Sequence, residues 1–464
     1  MHASPQRASA LRILAALRAA GHQAYFAGGC VRDLLLGREP TDYDIATSAT
    51  PDIVLNMFPR TFAVGAHFGV VLVADQPEDS CEGTARATEV ATFRSDGVYS
   101  DGRHPDQVRY TLSPAEDVQR RDFTINGLLL DPLSAGAQLS SESLRPAVLD
   151  HVGGLADLDA GLIRAIGQPA RRFEEDQLRL LRAIRFAARF GFEIEPATFS
   201  ALRALAPRIS AVSRERVRDE LTKMLTEGRA RRAFQLLQET GLLAQVLPEV
   251  ARMPGVAQPP QFHPEGDVFT HTLLLLDQLE PGCSPTLAWG ALLHDVGKPP
   301  TFRVAPDRIR FDGHVEVGVA LAADICRRFR FSNDDTRQVL ALVEHHMRFA
   351  DAPRMKASTL KRFFRLDQFD EHLALHRMDC LAAHGNLDCW NFVRQRLAEL
   401  PAEAVRPRPL VTGRELIAAG YPPGPAFKAM LQAAEDAQLE GTVTTSDQAL
   451  ALLRARFGPA ATHA

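Results

Sequence analysis

The seventeen residues from Gly28 to Asp44 constrain this chain more than any other stretch. Gly28 and Gly29 lack a Cβ, so their backbone N–H groups can approach a phosphate closely. Arg32 offers a rigid fork of donors that suits phosphate oxygens. Asp42 and Asp44 lie two positions apart, and on a strand this spacing places both carboxylates on one face, where they can share Mg²⁺ ions. The stretch therefore predicts a two-metal site for in-line phosphoryl or nucleotidyl transfer.

Each part of this stretch also has an ordinary explanation. A Gly-Gly pair before a helix is often only a turn, and Asp-x-Asp is common in loops. Arg32 and Asp33 could form the solvated first turn of a helix over residues 31–36. The functional interpretation is favoured because the parts occur together, in this order, and fit one mechanism.

Residues 28–51, GGCVRDLLLGREPTDYDIATSATP, resemble the head motif of the class II tRNA nucleotidyltransferases. That family includes the CCA-adding enzymes and the bacterial poly(A) polymerases, and it belongs to the polymerase-beta-like nucleotidyltransferase superfamily. The resemblance implies an α+β chain. A polymerase-beta-like head with a mixed sheet and helices is followed by an all-α neck and body, an HD domain and a helical tail.

At 464 residues the chain is too long for a single hydrophobic core. A proline- and glycine-rich linker at residues 253–260 separates two parts of it. Together with the resemblance, this predicts four domains: a nucleotidyltransferase head at 1–167, a neck and body for base selection and tRNA binding at 168–250, an HD metal-binding domain at 263–390, and a tail at 391–464.

Composition limits the cellular setting and the partners. Six cysteines without a CxxC spacing indicate reduced thiols in a cytoplasmic protein. No apolar run approaches the ~18 residues that a membrane span needs, so we expect no membrane partner. The net charge of −4 argues against uniform coating by nucleic acid. Residues 161–232 nevertheless contain sixteen Arg and Lys against nine Asp and Glu, and we expect the tRNA acceptor stem there.

Alternating and turn-bounded segments predict a small sheet in the head. Glu89 could offer a third carboxylate, but we interpret it as a solvated strand residue. The polar, turn-rich residues 92–105 predict a loop, which resembles the family's loop for switching from C to A addition. The predicted strands are 23–27, 42–46 and 88–93, with a hairpin at 64–73.

Residues 120–127, RRDFTING, read as a basic pair that opens an apolar helix. Alone they would say little. They resemble the family's RRDFTINA motif, whose Arg-Asp pair contacts the bound nucleotide. The resemblance implies that Arg121 and Asp122 contact the nucleotide, and Gly127 is a small departure from it.

Residues 174–186 predict one helix on which Asp176, Arg179, Arg182 and Arg185 recur every three positions. By itself this pattern is typical of a surface helix with ion pairs. EDQLRLLRAIRF, however, resembles the family's EDxxR motif, the amino-acid template that selects the incoming base. The resemblance implies that Asp176 and Arg179 read the base, and that Arg182 and Arg185 hold phosphate or sugar.

The template chemistry is physically reasonable. A carboxylate accepts a hydrogen bond from the exocyclic amine that C and A share, and an arginine donates to ring or carbonyl acceptors. Uracil presents an oxygen in place of the amine, so two acceptors would face each other. An unpaired buried polar group costs roughly 1–3 kcal/mol, which is enough for useful discrimination.

The second half of the chain contains histidines and aspartates among apolar helical runs. Imidazole nitrogens with carboxylates suit divalent transition metals. The pattern resembles the HD phosphohydrolase superfamily, which implies a transition-metal site in the HD domain. First-metal ligands would be His271, His294, Asp295 and Asp379, and candidates for a second metal are His314 and His346.

These observations predict template-independent addition of CCA to tRNA 3′ ends from CTP and ATP, with release of pyrophosphate. One alternative within the family is a poly(A) polymerase or an A-adding enzyme. An alternative of another class is an HD-type metal-dependent phosphohydrolase with a vestigial head. A non-catalytic tRNA-binding protein is the third alternative, and it would not need the carboxylates Asp42 and Asp44.

Overall fold

The computed structural model divides the chain into two compact units, Met1–Pro248 and Glu249–Ala464. The first unit has a sheet followed by helices, and the second is almost entirely helical. The structure describes residues 4–62, 69–74, 87–97, 107–134, 141–261 and 263–459.

Within the described residues of the first unit, seven strands form one mixed sheet in the order β3-β4-β5-β2-β1-β8-β9. The key pairing is the parallel one between β2 and β5, whereas β1–β2, β1–β8, β4–β5 and β8–β9 are antiparallel. The strands of this unit are β1 Ala24–Ala27, β2 Asp44–Thr47, β3 Thr61–Phe62, β4 Val70–Ala74, β5 Ala87–Thr92, β6 Arg94–Asp96, β7 Val108–Tyr110, β8 Leu128–Leu130, β9 Val148–Asp150, β10 Leu162–Ile163 and β11 Glu193–Ile194.

Helices flank the sheet and continue after it. The first begins where the Ser4 side chain accepts from the Arg7 N–H and Pro5 occupies the first turn, an N-terminal pattern that helices favour. The helices are α1 Pro5–Ala19, α2 Gly29–Leu35, α3 Pro51–Met57, α4 Pro114–Gln119, α5 Ser141–Leu144, α6 Gly154–Asp159, α7 Pro169–Glu175, α8 Leu178–Phe190, α9 Pro196–Leu205, α10 Arg214–Thr226, α11 Ala230–Glu239 and α12 Leu242–Val246. The sheet followed by helices confirms the predicted α+β class.

Four predicted elements of the first unit have different bounds. Strand β2 begins at Asp44, so Asp42 lies in the exposed turn before it. Segment 120–127 forms only a short 3₁₀ helix at Thr124–Asn126. Part of the predicted loop is strand β6, which pairs with β7, while residues 98–105 lie outside the described residues. The hairpin predicted at 64–73 overlaps only β4, which pairs with β3 at Thr61–Phe62, and residues 63–68 lie outside the described residues.

The prediction of a single helix over residues 174–186 is wrong, because the helix is interrupted at Asp176. Its φ of −144° and ψ of 106° are extended. The Asp176 carboxylate accepts a hydrogen bond from the Leu178 N–H at 3.1 Å. Such short-range bonds from an aspartate compete with helical hydrogen bonds, which explains why α7 ends and α8 starts again two residues later.

The second unit packs around buried aromatic residues. Trp289 is fully buried against Phe329 and Phe331. The elements of this unit are α13 Val268–Leu276, α14 Pro285–Leu293, α15 Lys298–Thr301, β12 Arg303–Val304, β13 Ile309–Arg310, α16 His314–Arg328, α17 Asn333–His345, α18 Ala357–Phe363, α19 Phe369–Ala382, α20 Asp388–Glu399, α21 Ala402–Val405, α22 Gly413–Ala418, α23 Ala426–Glu440 and α24 Ser446–Phe457.

The tail has its own apolar cluster around Leu416, Met430 and Leu453. Arg365, two residues after the end of α18, donates to Glu435 on α23 at 2.6 Å, so the tail is also ion-paired to the segment before it. None of the helices in the described ranges combines the length and the hydropathy that crossing a bilayer requires.

Candidate active site and metal centre

One cavity of about 670 Å³ in the first unit brings the predicted head and neck residues together. Its lining is dominated by charged side chains from α2, β2, α8 and the turns between them. The eleven predicted residues that line it are Gly28, Gly29, Arg32, Asp42, Asp44, Arg121, Asp122, Asp176, Arg179, Arg182 and Arg185.

Asp42 and Asp44 both line this cavity. Asp44 lies directly opposite Glu89 across the parallel β2–β5 pair, and Asp42 precedes it in the turn. Burial raises the pKa of Asp44 to about 7, and the charges of Glu89 and Asp42 add to the effect while Arg121 opposes it. Burial raises the pKa of Glu89 as well. A hard divalent cation would relieve this repulsion, so the carboxylate oxygens fit Mg²⁺.

Glu89 is exposed, as the sequence predicted, but its charge also helps to raise the pKa of the Asp44 carboxyl opposite it. The alternation of β5 predicted only its strand. The parallel register with Asp44 depends on how distant strands pair, and a local pattern carries no signal for that.

Gly28 has a structural role that differs from the predicted approach to a phosphate. Gly28 has a φ of 72°, which favours glycine, and its N–H donates to the Leu128 carbonyl at 3.1 Å. A Cβ at this position would stand 3.0 Å from Nη1 of Arg121. The Gly28 N–H is therefore committed to the sheet, and the missing side chain makes room for Arg121 rather than for a phosphate.

Arg32 is only 4% exposed, and its donors bind Asp33 and Asn126. Its guanidinium lies over two rings of α8, at 4.5 Å from the Phe190 centroid and 5.2 Å from the Phe186 centroid. The prediction of a free phosphate fork does not match this geometry. Arg32 instead ties the head motif to the neck helix, through cation–π contacts that gain strength from burial.

Arg121 and Asp122 have separate partners. Arg121 donates to Asp117 at 3.1 Å. Asp122 accepts from the Phe123 N–H, from Asn126 and from Arg182, the last at 2.6 Å. Burial opposes its ionisation, but Arg182 and these hydrogen bonds keep the pKa of Asp122 well below its usual range. Asp122 and Arg182 thus line the cavity as an ion pair that joins segment 120–127 to α8.

The two predicted base readers are held by different groups. Asp176 accepts from Arg216 on α10 at 3.0 Å as well as from the Leu178 N–H. Arg179 donates to Glu175 at 2.7 Å and to the backbone carbonyls of Arg172 and Arg120. Arg216 also lines the cavity, and sequence reasoning missed it because its partner lies 40 positions away.

Arg185 is 6% exposed and lies between two carboxylates. Its Nε donates to Glu220 at 2.7 Å, and its Nη1 donates to Glu227 at 3.3 Å. The prediction that Arg185 holds phosphate or sugar is not supported by these contacts. A buried arginine between two carboxylates neutralises them and fixes α8 against α10.

The second unit collects the predicted histidines around Asp295. His271 Nε2 lies 3.0 Å from Asp379 and 3.4 Å from His294 Nε2, and His294 Nε2 lies 3.2 Å from Asp295. Ligand atoms of His271, His294 and Asp379 lie within 4.8 Å of one another. Nitrogen and carboxylate ligands at this spacing fit a divalent transition metal.

A second cluster uses the other oxygen of Asp295. His346 Nε2 and His314 Nε2 lie 3.7 and 3.9 Å from Asp295 Oδ1, and both nitrogens are buried without a hydrogen-bond partner among the described residues. Burial lowers the pKa of His346 to about 4, which keeps its imidazole neutral and able to bind a metal. Lys298, which was not among the predicted site residues although it follows Asp295 by three positions, donates to Asp295 Oδ2 at 2.7 Å.

Some of these groups line a cavity of about 580 Å³ in the second unit. Its lining includes Asp295, His314, His346 and Asp379, and Lys298 contributes a positive charge. Ligand clusters therefore open onto a space that can take a small anionic molecule.

Three family models match the chain. They are the "Poly A polymerase head domain" over residues 24–164, the "Probable RNA and SrmB-binding site of polymerase A" over residues 191–253, and the "HD domain" over residues 268–383.

The chain is similar to curated proteins named CCA-adding enzyme. That of Geobacillus thermodenitrificans is 42% identical over 238 residues, which are 51% of this chain and 54% of the relative. That of Bacillus pumilus is 37% identical over 288 residues, 62% of this chain and 63% of the relative. The chain thus spans about half the length of the first relative and somewhat more of the second.

Solved structures resemble the chain over nearly its full length. A Bacillus stearothermophilus CCA-adding enzyme in complex with CTP superposes with a TM-score of 0.72 at 29% identity, covering 98% of each chain. A Thermotoga maritima CCA-adding enzyme complexed with tRNA has a TM-score of 0.56 at 16% identity, covering 98% of this chain and 96% of that one, which shows the fold alone.

The contacts of Arg185 predict a stability defect. Arg185→Met leaves Glu220 buried without its main partner, and we expect a loss of about 3–5 kcal/mol in the free energy of unfolding. Arg189→Met removes a more exposed partner of Glu227 and should cost about 1 kcal/mol or less. Urea unfolding followed by circular dichroism measures both. Unchanged stability of Arg185→Met with weakened nucleotide binding would instead restore Arg185 as a phosphate or sugar ligand.

Proposed function

We propose that this chain, which belongs to the family of class II tRNA nucleotidyltransferases and bacterial poly(A) polymerases, adds CCA to tRNA 3′ ends from CTP and ATP. The carrying observation is that one cavity is lined by Asp42 and Asp44 together with Asp176 and Arg179. The names of the similar curated proteins support CCA addition over the poly(A) alternative.

Each part of the chain has its own proposed role. The head carries the transfer chemistry, the neck and body select the base and bind tRNA, and the HD domain binds metal. We place the protein in the cytoplasm, where tRNA and reduced thiols occur together. The proposed parts are 1–167, 168–250 and 263–390, with a helical tail at 391–464.

In the reaction the tRNA 3′ hydroxyl attacks the α-phosphate in line, the new phosphodiester forms and pyrophosphate leaves. Mg²⁺ bound by Asp42 and Asp44 would supply Lewis-acid stabilisation and lower the pKa of the hydroxyl. The protein's own contribution is positional. Arg121 and Arg182 line the same cavity, where their charges attract the triphosphate, and Asp122 keeps Arg182 aimed there.

Base choice rests on Asp176 and Arg179. Arg216 and the Leu178 N–H hold the Asp176 carboxylate in place, and Arg179 is anchored by Glu175. The carboxylate can then accept from the exocyclic amine of C or A, and Arg179 can donate to the same edge of the base. Because these partners are protein groups rather than a nucleic-acid template, selection needs no complementary strand.

The transfer step is tested by Asp42→Asn and Asp44→Asn. Each should lower CMP incorporation into tRNA lacking CCA by at least about 100-fold, the order that one lost transition-state interaction costs. Asp52→Asn, which changes an exposed aspartate of α3, is the matched control and should keep full activity. Wild-type activity in both active-site variants would remove the carboxylate mechanism.

The same assay separates CCA addition from its alternatives. Tested on tRNA lacking CCA, CTP alone should add two residues, and ATP should add one only after them. Long tails from ATP alone would support a poly(A) polymerase instead.

Base selection is tested by Asp176→Ala. We expect the ratio of kcat/KM for CTP over UTP to fall by about 5- to 150-fold, because the variant no longer leaves an acceptor unpaired against uracil. Asp219→Ala, an exposed aspartate on α10, is the control and should leave the ratio unchanged. An equal loss of kcat/KM for CTP and UTP in Asp176→Ala would assign Asp176 to general binding.

The histidine clusters favour a second activity, hydrolysis of phosphoesters with a bound divalent transition metal. The Asp295 carboxylate faces both ligand clusters, and the cavity beside it is open. With Mn²⁺ present, the full chain should hydrolyse bis(p-nitrophenyl) phosphate. Asp44→Asn should retain this activity, and His294→Ala should lower it by at least about 100-fold, since a lost ligand removes the metal's contribution. Equal hydrolysis by wild type and His294→Ala would exclude the histidine clusters as its source.

A further inference from the structure

His271 differs from the other predicted metal-binding histidines in what holds its ring. Nδ1 of His294, His314 and His346 lies within 2.9 Å of a backbone carbonyl three positions earlier in the chain. Each bond holds the proton on Nδ1, and Nε2 of each ring faces Asp295 without a proton. Only a nitrogen without a proton can bind a metal. The three rings are therefore oriented by the same kind of hydrogen bond.

His271, the fourth residue of α13, does not make this hydrogen bond. The carbonyl three positions earlier is that of Val268, and it accepts the Thr272 hydroxyl at 2.8 Å. The ring needs another acceptor for Nδ1, because a buried ring that cannot donate there is free to place its proton on Nε2.

Glu265 supplies that acceptor. Its Oε1 lies 2.7 Å from Nδ1 of His271, and the Glu265 side chain is 7% exposed while that of His271 is 0% exposed. The carboxylate comes from the turn before α13. Gly266, with a φ of 124°, follows it there, and Asp267 then caps the helix by accepting from the Thr270 N–H. A glycine conformation at Gly266 lets Glu265 reach back over the first turn.

We propose that Glu265 is a positioning residue of the metal site, which orients His271 and makes its Nε2 a stronger metal ligand. This rests on the proposed metal binding by His271, His294, Asp295 and Asp379. A carboxylate draws the Nδ1 proton more strongly than a backbone carbonyl does, so Nε2 of His271 becomes more electron-rich than Nε2 of the other rings. Partners of this kind are typically worth 10- to 100-fold in metal affinity.

Glu265 Oε1 also lies 2.9 Å from Nδ1 of His263, whose ring centroid is 4.9 Å from that of His271. Its Oε2 is buried and has no hydrogen-bond partner among the described residues. One oxygen thus serves both histidines, and His263 lines the cavity. The His263 contact raises the rival explanation that Glu265 serves only to hold His263, which a His263→Ala variant tests.

The test measures Co²⁺ binding by the full chain in an Asp44→Asn background, so that the head contributes less to the signal. Visible absorption of Co²⁺ gives both the dissociation constant and the coordination geometry. Glu265→Ala should raise the dissociation constant about 10- to 100-fold and change the absorption bands, whereas Glu265→Gln, which keeps a neutral acceptor, should recover part of the affinity. Glu403→Gln, an exposed glutamate of the same unit, is the matched control.

The outcomes separate the inference from the site that it rests on. No Co²⁺ binding above that of a His294→Ala variant would overturn the proposed metal site and the inference with it. Strong binding that is equal in wild type and Glu265→Ala would overturn the role of Glu265 and leave the site standing. A loss in His263→Ala as large as that in Glu265→Ala would assign the effect to His263. Circular dichroism melting curves show whether each variant is folded.

Discussion

Two strands of the head hold like charges together. Asp44 and Glu89 face each other across a parallel pair, and Asp42 stands at the entry to the same strand. Closely spaced carboxylates repel one another unless one is protonated or a cation lies between them. Burial raises the pKa of Asp44 to about 7, and the charges of Glu89 and Asp42 add to this shift. The proposed reaction depends on this repulsion, because a cation that relieves the repulsion is also the cation that a triphosphate brings with it.

The rest of the cavity is built from arginines that are already paired. Arg32, Arg182, Arg185 and Arg216 each have a carboxylate partner, and three of the four pairs join segments far apart in the chain. Paired arginines lose less freedom when a ligand arrives, which favours a preorganised site. The break at Asp176 belongs to the same design, since it turns one carboxylate out of the helix toward Arg216.

Features that depend on residues close together in the sequence were predictable, whereas those that depend on residues far apart in the sequence were not. Composition, periodicity and the resemblance predicted the α+β class, and the predicted head and neck residues line one cavity. The roles of Gly28, Arg32 and Arg185 were not predictable in the same way, because their partners lie on other elements and local spacing does not identify them. Glu265 was missed for the same reason, because a turn brings it back to His271, and the register that sets Glu89 opposite Asp44 was not predictable from local spacing either. The helix break at Asp176 had a local signal, an aspartate able to bond the backbone two residues on, but the strong helical pattern around it obscured that signal.

The central claim is that Asp42 and Asp44 hold divalent cations against the triphosphate of the incoming nucleotide. The most direct measurement is anomalous diffraction from crystals grown with Mn²⁺ and a non-hydrolysable CTP analogue. The account predicts Mn²⁺ peaks bound to both carboxylates and to the phosphates, with the cytosine edge at Asp176 and Arg179. A triphosphate bound elsewhere, or bound in this cavity with no Mn²⁺ at Asp42 and Asp44, would contradict it.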